Sequence, residues 1–124
     1  MASMHGADAV SFPPQTAQTV SVNGTDQVNY NARGVTIVLV TTAIGTGSIT
    51  LTIQGKDPGS GTYYTLLAGA AVVTNTTNRY TVYPGLTAAA NVTASDVLPN
   101  AWRIVITANN ANAATYSVGG STLA

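Results

Sequence analysis

The residues able to do acid–base or nucleophilic chemistry are few. One histidine, His5, stands near the start. Four carboxylates, Asp8, Asp26, Asp57 and Asp96, are spread along the chain, which has no glutamate and no cysteine. A serine relay needs a base held rigidly within hydrogen-bond reach of its nucleophile, and His5 falls in a segment without periodicity. Paired-carboxylate hydrolysis needs two aspartates to converge. Asp57 sits in Lys56-Asp57-Pro58-Gly59-Ser60-Gly61 and Asp26 follows Asn23-Gly24, contexts in which aspartate ordinarily shapes a turn. No D-x-D-x-D-G loop offers calcium ligands, and without cysteine there is no thiolate zinc site. Gly45-Thr46-Gly47 and Gly59-Ser60-Gly61 open strands rather than helices, so they read as hairpin glycines and not phosphate cradles. The expectation is a protein with no catalytic residue, no metal and no cofactor.

The aromatic residues point instead to binding. Tyr63 and Tyr64 are adjacent on a strand and must face opposite ways, so at least one is exposed or at an interface. Tyr80 and Tyr83, at odd spacing, also fall on opposite faces. Tyrosine joins a large apolar area to a polar tip and is favoured in interface cores. Trp102 begins an apolar face and reads as core, which puts Arg103 on the outside. Phe12, ahead of Pro13-Pro14, is the main apolar anchor of an otherwise featureless start. Phe12, Tyr63, Tyr64, Tyr83 and Arg103 are the candidate partner contacts.

These residues need a scaffold, and composition restricts which one. A chain of 124 residues is one domain's worth. Charged residues make up 6%, against about 25% in an ordinary soluble domain, and twenty Thr, ten Asn and eight Ser supply the polarity. With one Lys and no Glu, salt-bridged surface helices and long coiled coils cannot be built. Zero net charge argues against a nucleic-acid partner held through phosphates. No apolar run approaches a membrane span, and the opening residues lack the basic and apolar regions of a secretory signal. Asn23-Gly-Thr25, Asn75-Thr-Thr77 and Asn91-Val-Thr93 match the glycosylation sequon, as chance allows in a chain so rich in Asn and Thr.

Along the chain the grammar is β. Residues 1–15 read as an extended arm, either frayed or ordered only on a partner, since two prolines fix the path and remove donors. Residues 16–22 alternate and end in Asn23-Gly24, a hairpin signal. Residues 35–40 are almost continuously β-branched, as in a strand covered on both faces. Residues 48–54 alternate strictly, with Ile49, Leu51 and Ile53 opposite Ser48, Thr50, Thr52 and Gln54, and should pair with 63–67 across the 56–61 turn. Residues 72–74 and 79–83 are expected to form a hairpin around 75–78. Residues 86–98 could be a helical turn or an extended connection. Residues 102–107 and 115–118 supply the last strands. Seven or eight short strands predict an antiparallel β-sandwich, jelly-roll or immunoglobulin-like, or a small barrel, over residues 16–124.

The runs from Ile53 to Leu67, Tyr80-Thr-Val-Tyr-Pro-Gly85, Leu98 to Thr107 and Thr115 to Gly119 resemble small all-β virion proteins of tailed bacteriophages, of the capsid decoration (cement) kind. The resemblance implies a non-enzymatic protein on the outer capsid surface, bound to the major capsid protein and stabilising its lattice; a tail or head-fibre component and a carbohydrate-binding or adhesin domain are the alternatives. Where such proteins carry Pro-Arg-x-Trp-Arg, this chain has Pro99-Asn100-Ala101-Trp102-Arg103, so any contact made by the missing arginine is absent or replaced. Independently, low charge and a single Lys leave strand edges thinly guarded, which predicts association, as a trimer or dimer, and no nucleic-acid or membrane partner.

Overall fold

The computed structural model describes residues 9–124. These residues form two packed sheets and no helix. The strands are β1 (Ala9–Gln18), β2 (Val22–Asn23), β3 (Gln27–Val28), β4 (Gly34–Ala43), β5 (Ile49–Lys56), β6 (Tyr63–Ala68), β7 (Thr77–Val82), β8 (Thr93–Ala94), β9 (Ala101–Ala108) and β10 (Ala114–Leu123). One sheet runs β1-β10-β4-β7-β8; in the other, β9 pairs with β2, β3 and β5, and β5 pairs with β6. All pairings are antiparallel except β7 with β8. The architecture is a β-sandwich.

Period-two patterning builds the core. Val35, Ile37 and Leu39 of β4 face Ile49, Leu51 and Ile53 of β5 and Trp102, Ile104 and Ile106 of β9, all buried between the sheets. Ile44, Val72 and Leu98 close the ends from the connections. The alternation extends to β4, whose Thr36, Val38 and Val40 are half-buried, so it is not a strand covered equally on both faces.

The sequence-based map needs three further corrections, and one open alternative is decided. The arm reading fails for residues 9–15. They belong to β1, which pairs with β10 through Ala9 with Ser121 and Phe12 with Val118, while residues 1–8 lie outside the described residues. The prolines are accommodated because the register shifts between Phe12 and Gln15, and a bulged edge strand has no ladder bond to lose there. Asn23-Gly24 does not join a two-stranded hairpin. β2 and β3 both pair with β9, and the Gly24 amide donates to the Ile104 carbonyl at 2.7 Å. Close approach is the reason for glycine: a Cβ there would lie 2.6 Å from that oxygen and 3.1 Å from Phe12 Cε2. The expected 72–83 hairpin is also absent. Val72 bridges Ile49 of the opposite sheet, and β7 begins at Thr77 beside β4. Residues 86–98 contain no helix, only a turn and β8. The β5–β6 hairpin across 57–62 does form, with Lys56 opposite Tyr63.

Candidate functional site

Sheet register brings together residues the sequence scatters. Lys56 lies opposite Tyr63, and Gln54 opposite Arg103. With Trp102 inside, alternation turns Arg103, Gln54 and Lys56 outward on one face. Asp26, between β2 and β3, is delivered to the same face by the pairing of Gln27 with Trp102.

The four side chains Asp26, Lys56, Tyr63 and Arg103 lock one another. Lys56 Nζ donates to Asp26 Oδ2 at 2.9 Å, and Tyr63 Oη donates to Asp26 Oδ1 at 2.6 Å. The Arg103 guanidinium carbon stands 3.5 Å from the Tyr63 ring centroid, and Lys56 Nζ lies 5.4 Å from it. Arg103 Nε donates to Gln54 Oε1 at 2.8 Å, which fixes the guanidinium plane. The Tyr63 hydroxyl, then Lys56, hold the Asp26 carboxyl below its ordinary range, and Asp26 pushes the Lys56 ammonium up. Every group in the cluster is engaged as a structural partner, and the Lys56–Asp26 pair keeps its side chains about a third exposed (32% and 39%).

The cluster belongs to one end of the sandwich. The 28–33 segment, the 57–62 turn, the 95–100 segment and the close of β7 and β10 all meet there. The Asn29 amide donates to the Asn100 carbonyl, Leu98 to Arg33, and Arg33 to Leu123. Tyr30, Tyr63, Tyr64 and Tyr83 are at this end, and so are Arg33, Asp57 and Asp96. Of the charged residues in 9–124, Arg79 alone lies elsewhere. Val28, Tyr30, Tyr64 and Val97, four of the most exposed large apolar side chains, are here too, with Tyr30 70% exposed. Asp57 shapes its turn: it accepts from the Gly59 amide at 3.1 Å and the Ser60 hydroxyl at 2.7 Å, and Gly61 adopts a φ of +76°.

The sequence-derived candidates divide. Tyr63 and Arg103 meet face to ring. Tyr64 points the other way, its ring lying where a Gly55 Cβ would be, beside Pro99. Tyr83 covers Gly34 and donates to the main-chain oxygen of Ala124 at 2.7 Å. Phe12 is no surface contact. It is 4% exposed and packs in this chain's own core. Asp26, Lys56, Gln54 and Tyr30 were not singled out from sequence. The shared outward parity of Gln54 and Lys56 was a usable signal, whereas nothing local connects Asp26 to Tyr63.

No family model matches the sequence, and no curated protein matches it either. Solved structures do resemble the fold. The crystal structure of PirA superposes with a TM-score of 0.53 at 14% identity, covering 93% of this chain and 90% of PirA. The SPBc2 prophage-derived protein YomS gives a TM-score of 0.52 at 13% identity, covering 95% of each chain. At such identities the shared property is the β-sandwich itself.

Proposed function

We propose that this is a non-enzymatic structural protein of a tailed-bacteriophage virion, which binds the major capsid protein lattice on its outer surface and stabilises it. One observation carries the reading. Among the described residues, all the charge but Arg79 and four of the six tyrosines are gathered at one end of the sandwich, around a hydrogen-bonded plate and beside exposed Val28, Tyr30 and Val97. Tyrosine and arginine at the centre of a rigid patch with apolar neighbours is the composition of a protein interface. Preorganised side chains lose little freedom on docking, so more of the contact energy survives as affinity. Likeness to a prophage-derived protein supports a phage setting. Binding only the assembled lattice stabilises it by mass action, and repeated attachment raises avidity.

The test is co-sedimentation with tailed-bacteriophage capsids assembled from the major capsid protein of the genome that carries this chain, for wild type, Tyr30→Ala and Tyr63→Ala. Saturable binding lost in both variants, with unchanged circular dichroism, is expected. Equal binding by all three removes this end from the contact. Absence of any binding by wild type, with capture on a glycan array, replaces the reading by the carbohydrate-binding one.

A further inference from the structure

Arg79, the one charged residue of 9–124 away from the tyrosine-rich end, stands beside an unfilled lane in the first sheet. β8 pairs with β7 only at Thr81 and Val82. The Thr81 amide donates to the Val92 carbonyl and the Tyr83 amide to Ala94, so odd-numbered residues of β7 turn their peptide groups toward this edge. On the other side the Thr76 carbonyl accepts from Thr41, which places even-numbered residues against β4. By the same alternation Thr77 and Arg79 present N–H and C=O to the open edge. The chain ahead of β8 cannot reach them. Residues 89–93 fold into a tight turn, with Val92 and Thr93 amides donating to the Ala89 carbonyl and Asn91 at a φ of +65°.

The lane is a cleft and not a flat edge. A recess of about 440 Å³ lies between the 70–74 segment and residues 90–92, with Asn78, Arg79 and Tyr80 as its floor. A second, of about 360 Å³, adjoins it across Arg79 and Val92. The 70–74 wall is anchored on the other sheet, since Val72 and Ile49 exchange both backbone bonds. Alanines, valines and Leu86 make the walls; the polar residues are Thr, Asn, Tyr80 and one arginine, and no carboxylate lines either recess. Arg79 spends only Nε, donated to Thr36 Oγ1 at 3.1 Å, and Asn78 Nδ2 is buried without a partner among the described residues.

We propose that this cleft binds an extended, carboxylate-bearing peptide of a partner protein, which adds a short strand to the open edge of β7 while its carboxylate meets the Arg79 guanidinium. Strand addition supplies affinity through main-chain bonds, and a pocketed side chain supplies selectivity. The guanidinium fork suits a carboxylate, and small apolar walls accept the flanking side chains. The volume falls within the range of ordinary ligand sites. This inference does not depend on the function proposed for the opposite end.

The probe is a blocked pentapeptide, acetyl-Ala-Thr-Glu-Val-Ala-amide, titrated into the ¹⁵N-labelled full chain. Three comparators are its Gln counterpart, a version N-methylated at alternate amides, and butyrate. Shift changes confined to residues 70–74, 77–80 and 90–93 are expected. Binding should be at least tenfold weaker for the Gln and N-methylated peptides, and Arg79→Gln should bring the Glu peptide down to the level of the Gln peptide. Arg79→Lys, which keeps charge without the fork, should fall between. Shift changes elsewhere, none at millimolar peptide, or an unchanged affinity in Arg79→Gln would overturn the proposal. Butyrate binding as tightly as the peptide would replace strand addition by a small-acid site. Self-association abolished by Arg79→Gln would replace the partner by a second copy. The comparator peptides test the idea on wild type, so it stands or falls even if the variants fold poorly.

Discussion

The Arg103 guanidinium stands over the Tyr63 ring, 3.5 Å from centroid to carbon, and its Nε donates to Gln54. A planar cation stacks in this way and an ammonium does not. Arg103→Lys is therefore expected to change stability by no more than about 0.5 kcal/mol, as surface substitutions do, while capsid binding falls roughly tenfold. Thermal melts beside co-sedimentation measure the two effects separately.

Protonation should dismantle the same plate. Asp26 is held below 3.8 chiefly by the Tyr63 hydroxyl and next by Lys56. A depressed carboxyl contributes above its unfolded value and loses that contribution as pH falls through the folded one. Lys56 is raised from 10.5, so its contribution is complete below that value and is lost as pH rises through the folded one. The plate's contribution is thus complete between pH 3.8 and 10.5 and is lost beyond that window, as pH passes the folded value of Asp26 below it or of Lys56 above it. A carbon-detected titration should place the Asp26 midpoint below 3.8, and Tyr63→Phe should return it toward 3.8 more fully than Lys56→Gln.

Tyr116 is 2% exposed, its hydroxyl has no partner among the described residues, and burial pushes its pKa up to about 12. The folded state therefore keeps the proton that the unfolded state gives up above 10.0, and stability is lost as pH climbs from there to about 12. Two pH units correspond to about 2–3 kcal/mol. Urea denaturation at pH 8 and 11 should show about half of this loss in the wild type, since pH 11 lies midway between the two values, and a reduced loss in Tyr116→Phe. At pH 8 the Phe variant should equal or exceed the wild type by about 1 kcal/mol, since an unsatisfied hydroxyl leaves the core.

Phe12 packs against Gly24 across the sandwich. Phe12→Ala should cost about 3–5 kcal/mol by opening a cavity. Deleting residues 1–14 should do comparable harm by stripping most of β1 from β10. Denaturation midpoints and amide exchange in β10 read both. An unchanged midpoint after truncation would mean that β1 is a dispensable edge.

What the sequence determined by itself is what depends on neighbours along the chain. Strict alternation at Ile49, Leu51 and Ile53 and at Trp102, Ile104 and Ile106 names the buried face of a strand without reference to its partner, and Asp57-Pro58-Gly59 names the turn that closes β5 on β6.

Tertiary structure decided which strand lies beside which, and therefore the site. Pro13-Pro14 read locally as an arm, yet β10 accepts them because a bulged edge needs no donor at those positions. Asn23-Gly24 read as a hairpin, yet β9 offers a long partner to both flanks, and pairing with a central strand wins over pairing with each other. Asp26 and Tyr63 are far apart in sequence, and only the register of β3, β9, β5 and β6 sets a carboxylate under that hydroxyl. Register is a property of pairs of strands, settled by the fit of two buried faces, and no single strand carries it.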